Sequence, residues 1–225
     1  MNYSVFSRPY FTDWILTATT LVSLIVSLVH RVHKQLFLIQ IYIVASLFID
    51  VLSTITELFF SDNELWLDTD CIVFNLFSIL EISIVYLFTA KLINKKETKL
   101  VAQILCIVYI FSCVLIWISF PKAIISNTPD LFGLEGILIS SICLLYFLDL
   151  MHSLPMEGIM KKPDFWVISG ILFYFSTTSP LYFVLTGLKN IPFINIAFTS
   201  ANYCLYTVLF LTFIKAYLCP IHIQK

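Results

Sequence analysis

Two acidic residues lie deep inside long apolar segments of this sequence. Asp50 belongs to the apolar segment 36–60, and Glu81 belongs to the segment 71–93. At about 1.5 Å of rise per helical residue, Glu81 falls near the middle of a membrane-spanning helix and Asp50 falls slightly to one side of the middle. An ionisable residue at that depth costs about 2.5–3.5 kcal/mol on insertion scales and is a functional candidate by default.

The sequence places no basic residue at the depth of these two acids. We therefore expect Asp50 and Glu81 either to be uncharged or to be matched by a bound cation, an amine or a proton pathway. In the alternative interpretation both acids are neutral and only hydrogen-bond Asn202 and nearby hydroxyl groups, which ties the helices together. The residue types alone leave both interpretations open.

Polar side chains recur at helical spacing in three of the apolar segments, so each set shares one helix face. The sets are Ser46, Asp50, Ser53 and Glu57; Glu135, Tyr146 and Asp149; and Asn195, Thr199, Asn202 and Tyr206. These faces become more polar toward one end of the predicted bundle. We therefore predict a polar cavity that opens at that end, with a ligand, proton or cation site formed by Asp50, Glu81, Asn202, Glu57, Glu135, Thr177, Thr199 and Tyr206.

Several of these candidates also have simpler interpretations. Glu57 and Glu135 lie near helix ends, where a carboxyl group can reach water, and Asp149 is expected at the membrane interface. Thr177 belongs to a Ser-Thr-Thr-Ser run before Pro180, which is expected to kink its helix because proline removes a backbone hydrogen bond. The many tyrosines and phenylalanines are interpreted as interfacial and lipid-facing residues.

The composition requires a membrane environment for these elements. The chain has 225 residues, of which 60% are hydrophobic and only 12% are charged, far from the roughly 25% charged residues of soluble domains. The sequence predicts an all-α, polytopic transmembrane bundle of seven helices that forms a single domain over residues 1–225. The predicted helices span residues 14–30, 36–60, 71–93, 100–120, 131–151, 165–186 and 193–218.

The distribution of basic residues orients this bundle. With seven spans, one side holds ten of the 13 basic residues: Arg31, Lys34, Lys91, Lys95, Lys96, Lys99, Lys161, Lys162, Lys215 and Lys225. Because cytoplasmic loops are enriched in Lys and Arg, the amino terminus is predicted outside and the carboxyl terminus in the cytoplasm. The predicted cavity then opens outward.

Other classes of function find no support in the residue pattern. The six cysteines and four histidines show no metal-ligand spacing, and no nucleophile-elbow or phosphate-loop motif occurs. We predict no metal, no cofactor and no nucleic-acid partner, and we do not expect an enzyme.

Four segments resemble a large group of small seven-helix membrane proteins of Bacteroidota bacteria. The segments are NLFSILEISIVYLF, LEGILISSICLLYFLDL, KKPDFWVISGILFYFS and ANYCLYTVLFLTFIKAYLC. The matching positions are Glu81, Glu135, Tyr146, Phe147, Asp164, Phe165 and Trp166. The group has no assigned biochemical activity, and its members are often encoded beside sensor kinases. The resemblance implies a bacterial inner-membrane protein with a signalling association, although Asp50 and the Pro180 kink depart from the group's pattern.

Three functions follow as alternatives. The first is a receptor-like or sensory protein that binds a small or lipid-like molecule in the cavity and acts through a membrane signalling partner at the connector 152–164. The second is a small proton- or cation-coupled transporter that uses Asp50 and Glu81. The third is an intramembrane enzyme acting on lipids with Glu81 as acid or base.

Overall fold

The computed structural model describes residues 11–30, 36–60, 64–125, 129–153, 159–188 and 192–219. These residues form seven α-helices and two short 3₁₀ turns, and no β-strand occurs among them. The helices are α1 (Phe11–Val29), α2 (Phe37–Phe60), α3 (Glu64–Leu92), α4 (Lys96–Ser119), α5 (Pro129–Ser153), α6 (Pro163–Leu188) and α7 (Pro192–Tyr217). The predicted fold class, an all-α bundle of seven helices, is confirmed.

Six of the described helices, α2 to α7, are long and apolar enough to cross a membrane. In α1 the apolar stretch is shorter, from Trp14 to Val29. Large apolar side chains point outward along the bundle, and on α4 they include Leu100, Ile104, Ile107, Phe111 and Ile118. An apolar outer surface over membrane-length helices is the arrangement that lipid requires, so the chain folds as a multi-pass membrane protein.

The start of α3 differs from the prediction. The acidic stretch before residue 71 was expected to be a loop, but the helix already begins at Glu64. Acidic residues in a first helical turn are stabilised by the helix dipole, and no Gly or Pro interrupts the chain between Glu64 and Cys71. The helix therefore extends about two turns beyond its apolar part.

Six helices form a closed ring, and α4 lies outside it. Around the ring α1 packs on α2, α2 on α3, α3 on α5, α5 on α6, α6 on α7, and α7 on α1. Helix α4 packs on α3 and α5 only. Space enclosed by the ring is therefore lined by every helix except α4.

The two halves of the ring are packed differently. We call the half near the α2–α3, α4–α5 and α6–α7 connections the predicted outer half, and the other the predicted cytoplasmic half. In the predicted cytoplasmic half the interior is filled by fully buried apolar side chains, among them Leu36, Ile39, Ile43, Phe88, Leu209, Phe210 and Phe213. Open space inside the ring is found in the predicted outer half.

Helix α6 packs closely on both of its neighbours. A Cβ atom added at Gly136 of α5 would lie 2.8 Å from the Cβ atom of Ser179, and one added at Gly170 would lie 1.9 Å from Oγ1 of Thr212 on α7. Small residues allow such close backbone approach in membrane bundles. The helix runs unbroken through Pro180, and the bend predicted there stays a prediction.

Candidate functional site

A cavity of about 370 Å³ lies inside the ring of helices. Its lining residues lie in the predicted outer half and at the middle of the helices. Half of them are apolar or aromatic: Leu16, Ile49, Phe74, Phe77, Phe132, Tyr174, Phe175, Tyr182, Leu185, Phe198, Tyr203 and Tyr206. The other lining residues are Thr17, Ser46, Asp50, Ser53, Thr54, Cys71, Asn75, Ser78, Glu81, Glu135, Thr199 and Asn202.

Glu81 lies at the inner limit of the cavity and ends a chain of hydroxyl groups. Its side chain is only 7% exposed, and the Tyr42 hydroxyl donates a hydrogen bond to its Oε1 atom. The Tyr206 hydroxyl lies 3.0 Å from that of Tyr42 and 3.3 Å from Ser46 Oγ. Because Tyr42 donates its proton to Glu81, it accepts from Tyr206. The chain Ser46–Tyr206–Tyr42 therefore directs its donors toward one carboxyl group.

Glu135 brings a second carboxyl group to the same wall. Its side chain is 2% exposed, and its Oε2 atom accepts a 2.6 Å hydrogen bond from Ser78 Oγ. Ser78 in turn is hydrogen-bonded to the hydroxyl of Tyr109 on α4. The carboxyl groups of Glu81 and Glu135 line the same cavity, and Oε1 of Glu135 makes no hydrogen bond within the described chain.

This burial corrects the simpler interpretation of Glu135. The sequence suggested that an acid near the end of α5 reaches water, but here the side chain points into the ring. The physical reason is that Ser78 one turn before Glu81 on α3 supplies a donor to it inside the bundle, so the carboxyl group is solvated by protein.

Asp50 differs from the two glutamates because its side chain accepts no hydrogen bond that the described part of the chain shows. It lines the cavity one turn from Ser46, and its Oδ2 atom is buried without a hydrogen-bond partner among the described residues. The desolvation cost of such an atom is not offset by any contact in the described chain. Asp50 and Glu81 face the same space, as predicted.

The α7 candidates also reach the cavity. Asn202 Oδ1 accepts a 3.0 Å hydrogen bond from the Tyr174 hydroxyl of α6, and Thr199 and Tyr206 lie in the same wall. The predicted bond between Asn202 and the acids is not formed among the described contacts, because Asn202 pairs with α6.

One predicted site residue, Thr177, is not brought to the cavity. Thr177 donates a 2.8 Å hydrogen bond to the carbonyl of Phe173 in its own helix and does not line the cavity. Its neighbour Ser179 instead links α6 to α5 through a 2.7 Å bond to the Gly133 carbonyl. The side chain of Glu57 lies outside the described residues.

Sequence reasoning missed the buried tyrosines. They were interpreted as interfacial and lipid-facing, but Tyr42, Tyr109 and Tyr174 are buried. A tyrosine is stable inside a membrane bundle when its hydroxyl group finds a partner, and all three do. Spacing carried a usable signal: Tyr42 lies four residues before Ser46, so it extends the polar face of α2 by one turn. Likewise, Asn75, Ser78 and Glu81 share a face of α3.

Asp149 was expected at the membrane interface, and that position stays a prediction. It lies beside the α3–α4 connection, where its side chain is 3% exposed. Its Oδ2 and Oδ1 atoms accept hydrogen bonds of 2.9 Å from the Asn94 amide and 3.3 Å from the Lys95 amide. These amides lie where α4 begins and have no intrahelical partner. Asp149 therefore caps α4 and is no part of the cavity.

Comparison with protein families, curated proteins and solved structures finds no match to this chain. The resemblance to the Bacteroidota group stays a prediction, and the site has to be interpreted from its own geometry. Three carboxyl groups, nine aromatic rings and no Lys, Arg or His line the described wall. Such a wall provides hydrogen-bond acceptors and apolar contact area to a small molecule.

Proposed function

We propose that this protein is a receptor-like membrane protein that binds a small molecule in the cavity and acts through a partner. The observation that carries the proposal is a cavity inside the ring that is closed toward one half by apolar packing and lined by acids and aromatic rings. Ligand sites are concave, mostly apolar and carry a few convergent polar groups, with volumes of roughly 300–1,000 Å³. The cavity volume of about 370 Å³ fits the lower end of that range.

Helix α6 provides the connection from the cavity to a partner. Tyr174 near its middle and Tyr182 in its second half belong to the cavity wall. Its first turn holds the end of the proposed docking connector 152–164, where the indole of Trp166 donates a 2.8 Å hydrogen bond to the Met160 carbonyl. A ligand that shifts α6 therefore shifts this connector, on which Lys161 is exposed.

A ligand screen with a cavity-filling variant tests the binding proposal. The full chain in lipid nanodiscs is exposed to a panel of small cationic, neutral and anionic compounds, and the unfolding midpoint is measured. We expect at least one compound class to raise the midpoint, and Thr199→Phe to remove that effect by filling the cavity. Ser112→Phe, on α4 outside the ring, is the matched control and keeps the response. A panel without effect on the wild-type midpoint contradicts the proposal.

A proton- or cation-coupled transporter is the second candidate, favoured by the hydroxyl chain from Ser46 to Glu81. Hydroxyl and carboxyl groups in series provide a route for a proton. The apolar packing of the predicted cytoplasmic half favours the receptor, because a carrier also has to open its cavity toward that half. Reconstituted vesicles decide between them: pH-dependent uptake that Glu81→Gln abolishes supports transport, and vesicles without flux exclude it.

The membrane context of this proposal follows the charge pattern. We infer that α1 is the seventh span, that the amino terminus lies outside, and that the membrane is a bacterial inner membrane. Lys91, Lys95, Lys96 and Lys99 are exposed around the α3–α4 connection, which supports a cytoplasmic position for that end.

A further inference from the structure

The geometry points to an organic ammonium ion as the ligand of this cavity, with the Asp50 carboxylate as its counter-ion. This inference rests on the proposed binding function and names the chemical class of the ligand. It is carried by three separate observations on the cavity wall: an unused acid, a set of aromatic rings, and a pair of glutamates that already have donors.

Asp50 is the acceptor with spare capacity. Its Oδ2 atom is buried and has no partner within the described chain, and no basic residue lines the cavity beside it. A buried carboxylate is stable only when it is paired and hydrogen-bonded. An ammonium group in the cavity supplies both the opposite charge and the N–H donors.

The glutamate pair limits where that cation can bind. Glu81 accepts from Tyr42, and Glu135 accepts from Ser78. Both side chains are held by these donors at the inner limit of the cavity. Oε1 of Glu135, on a side chain that is 2% exposed, remains as an additional acceptor. Asp50 is the one acid of the three that accepts no side-chain hydrogen bond within the described chain, so it makes the main contact with the cation, and Oε1 of Glu135 is a second acceptor.

The aromatic wall favours an organic cation over a metal ion. Nine of the lining residues are Phe or Tyr, and aromatic faces attract ammonium groups through cation–π interactions. Within the described part of the chain no three His, Cys, Asp or Glu side chains come close enough to hold a metal ion. One unpaired carboxylate among rings fits an ammonium head group with an apolar body.

Three probes that differ mainly in the head group test this assignment. They are 2-phenylethylamine, 2-phenylethanol and 3-phenylpropanoate, and their dissociation constants are measured on the full chain in nanodiscs by calorimetry. We expect the amine to bind at least tenfold more tightly than the alcohol, and the carboxylate to bind most weakly. Asp50→Asn should remove the preference for the amine while the alcohol keeps its affinity. Glu97→Gln makes the same charge change in the exposed first turn of α4 and should change nothing.

Each other outcome has one meaning. If the amine and the alcohol bind equally, or the carboxylate binds best, the ammonium assignment is wrong and the proposed binding function stands. If Asp50→Asn keeps the amine preference, Asp50 is not the counter-ion and the assignment is also wrong. If none of the three binds, the ammonium assignment is wrong. The proposed binding function is then tested separately by the broader panel of compounds described above. Should Asp50→Asn fail to fold, the ranking of the three probes on the wild type still decides.

Discussion

The Tyr42 hydroxyl group is shared between two helices, because it donates to Glu81 on α3 and lies 3.0 Å from the Tyr206 hydroxyl on α7. Removing it leaves a buried carboxyl oxygen without its donor. We expect Tyr42→Phe to lower the free energy of unfolding by about 1–2 kcal/mol, near the upper end for membrane hydrogen bonds. Reversible unfolding in mixed micelles measures this change.

Tyr86→Phe is the matched control for that experiment. Tyr86 belongs to the same helix as Glu81 and is half-buried, but no hydrogen bond of its hydroxyl group is described. The free energy of unfolding of Tyr86→Phe should stay within about 0.5 kcal/mol of the wild-type value, as it does for most surface substitutions. Equal losses of unfolding free energy in Tyr42→Phe and Tyr86→Phe would show that the surroundings of the tyrosine side chain, and not the bond to Glu81, cause the effect.

Asp149 makes a separate contribution at the predicted cytoplasmic end. Because its two oxygens accept from the Asn94 and Lys95 amides, Asp149→Ala should cost about 1–2 kcal/mol, as the loss of a helix cap does. Asp149→Asn keeps one acceptor and should cost less. Thermal unfolding of both variants in nanodiscs checks the order, and a neutral Asp149→Ala contradicts the capping role.

At the scale of single residues, the sequence predicted the positions of the acids better than the positions of their hydrogen-bond partners. A carboxyl group in an apolar segment is stable only when it faces the interior of the bundle, so Asp50 and Glu81 could be assigned to one cavity. A tyrosine is stable both at the interface and in the core, so Tyr42 could not be assigned from its type. Thr177 was misjudged for a related reason, since a hydroxyl group in a helix can satisfy itself on its own backbone.

At the scale of helices, the close contacts of α6 make it sensitive to small increases in side-chain size. Gly170→Ala places a Cβ atom 2.9 Å from the Cβ of Thr212, a clash that rotation of the threonine cannot relieve. We expect a loss of about 1–3 kcal/mol, the usual cost of overpacking. Gly187→Ala meets nothing within 4 Å and should be neutral. Unfolding midpoints of the two variants test this contrast.

A compensating change sharpens the test. Thr212→Ala removes the Oγ1 and Cγ2 atoms near Gly170 and leaves only the Cβ contact. In combination with Gly170→Ala it should restore part of the lost stability. Without any restoration, the cost of Gly170→Ala comes from the remaining Cβ contact or from the backbone of α6, and not from the Oγ1 and Cγ2 atoms of Thr212.

The helices were predictable because length and hydropathy determine where a chain crosses lipid. Their bounds agree with the prediction within a few residues, except that α3 begins at Glu64 and α4 at Lys96. Both extensions carry charged residues outside the apolar part, where hydropathy gives no clear signal and helix propensity decides. The order of the helices around the ring was not predictable, since many packings bury the same polar faces.

At the scale of the whole molecule, α4 offers a direct test of orientation. Its 24 residues span about 36 Å, and exposed Lys99 and Lys122 lie near its opposite ends. In a background without the six native cysteines, we expect Lys122→Cys to react with a membrane-impermeant maleimide on intact cells. Lys99→Cys should react only after lysis. The reverse labelling pattern refutes the predicted orientation.

The hydroxyl chain of Ser46, Tyr206 and Tyr42, which ends at Glu81, has a consequence for the order in which the helices assemble during synthesis. Tyr42 enters the membrane before Glu81, because α2 is synthesised before α3, so the first donor is already in place when the acid arrives. Tyr206 arrives only with the last helix. A nascent chain that stops before α7 therefore has an open ring and lacks the middle member of its hydroxyl chain. We expect such an intermediate to leave the polar face of α2, with Ser46 and Asp50, without the helix that closes the cavity beside it.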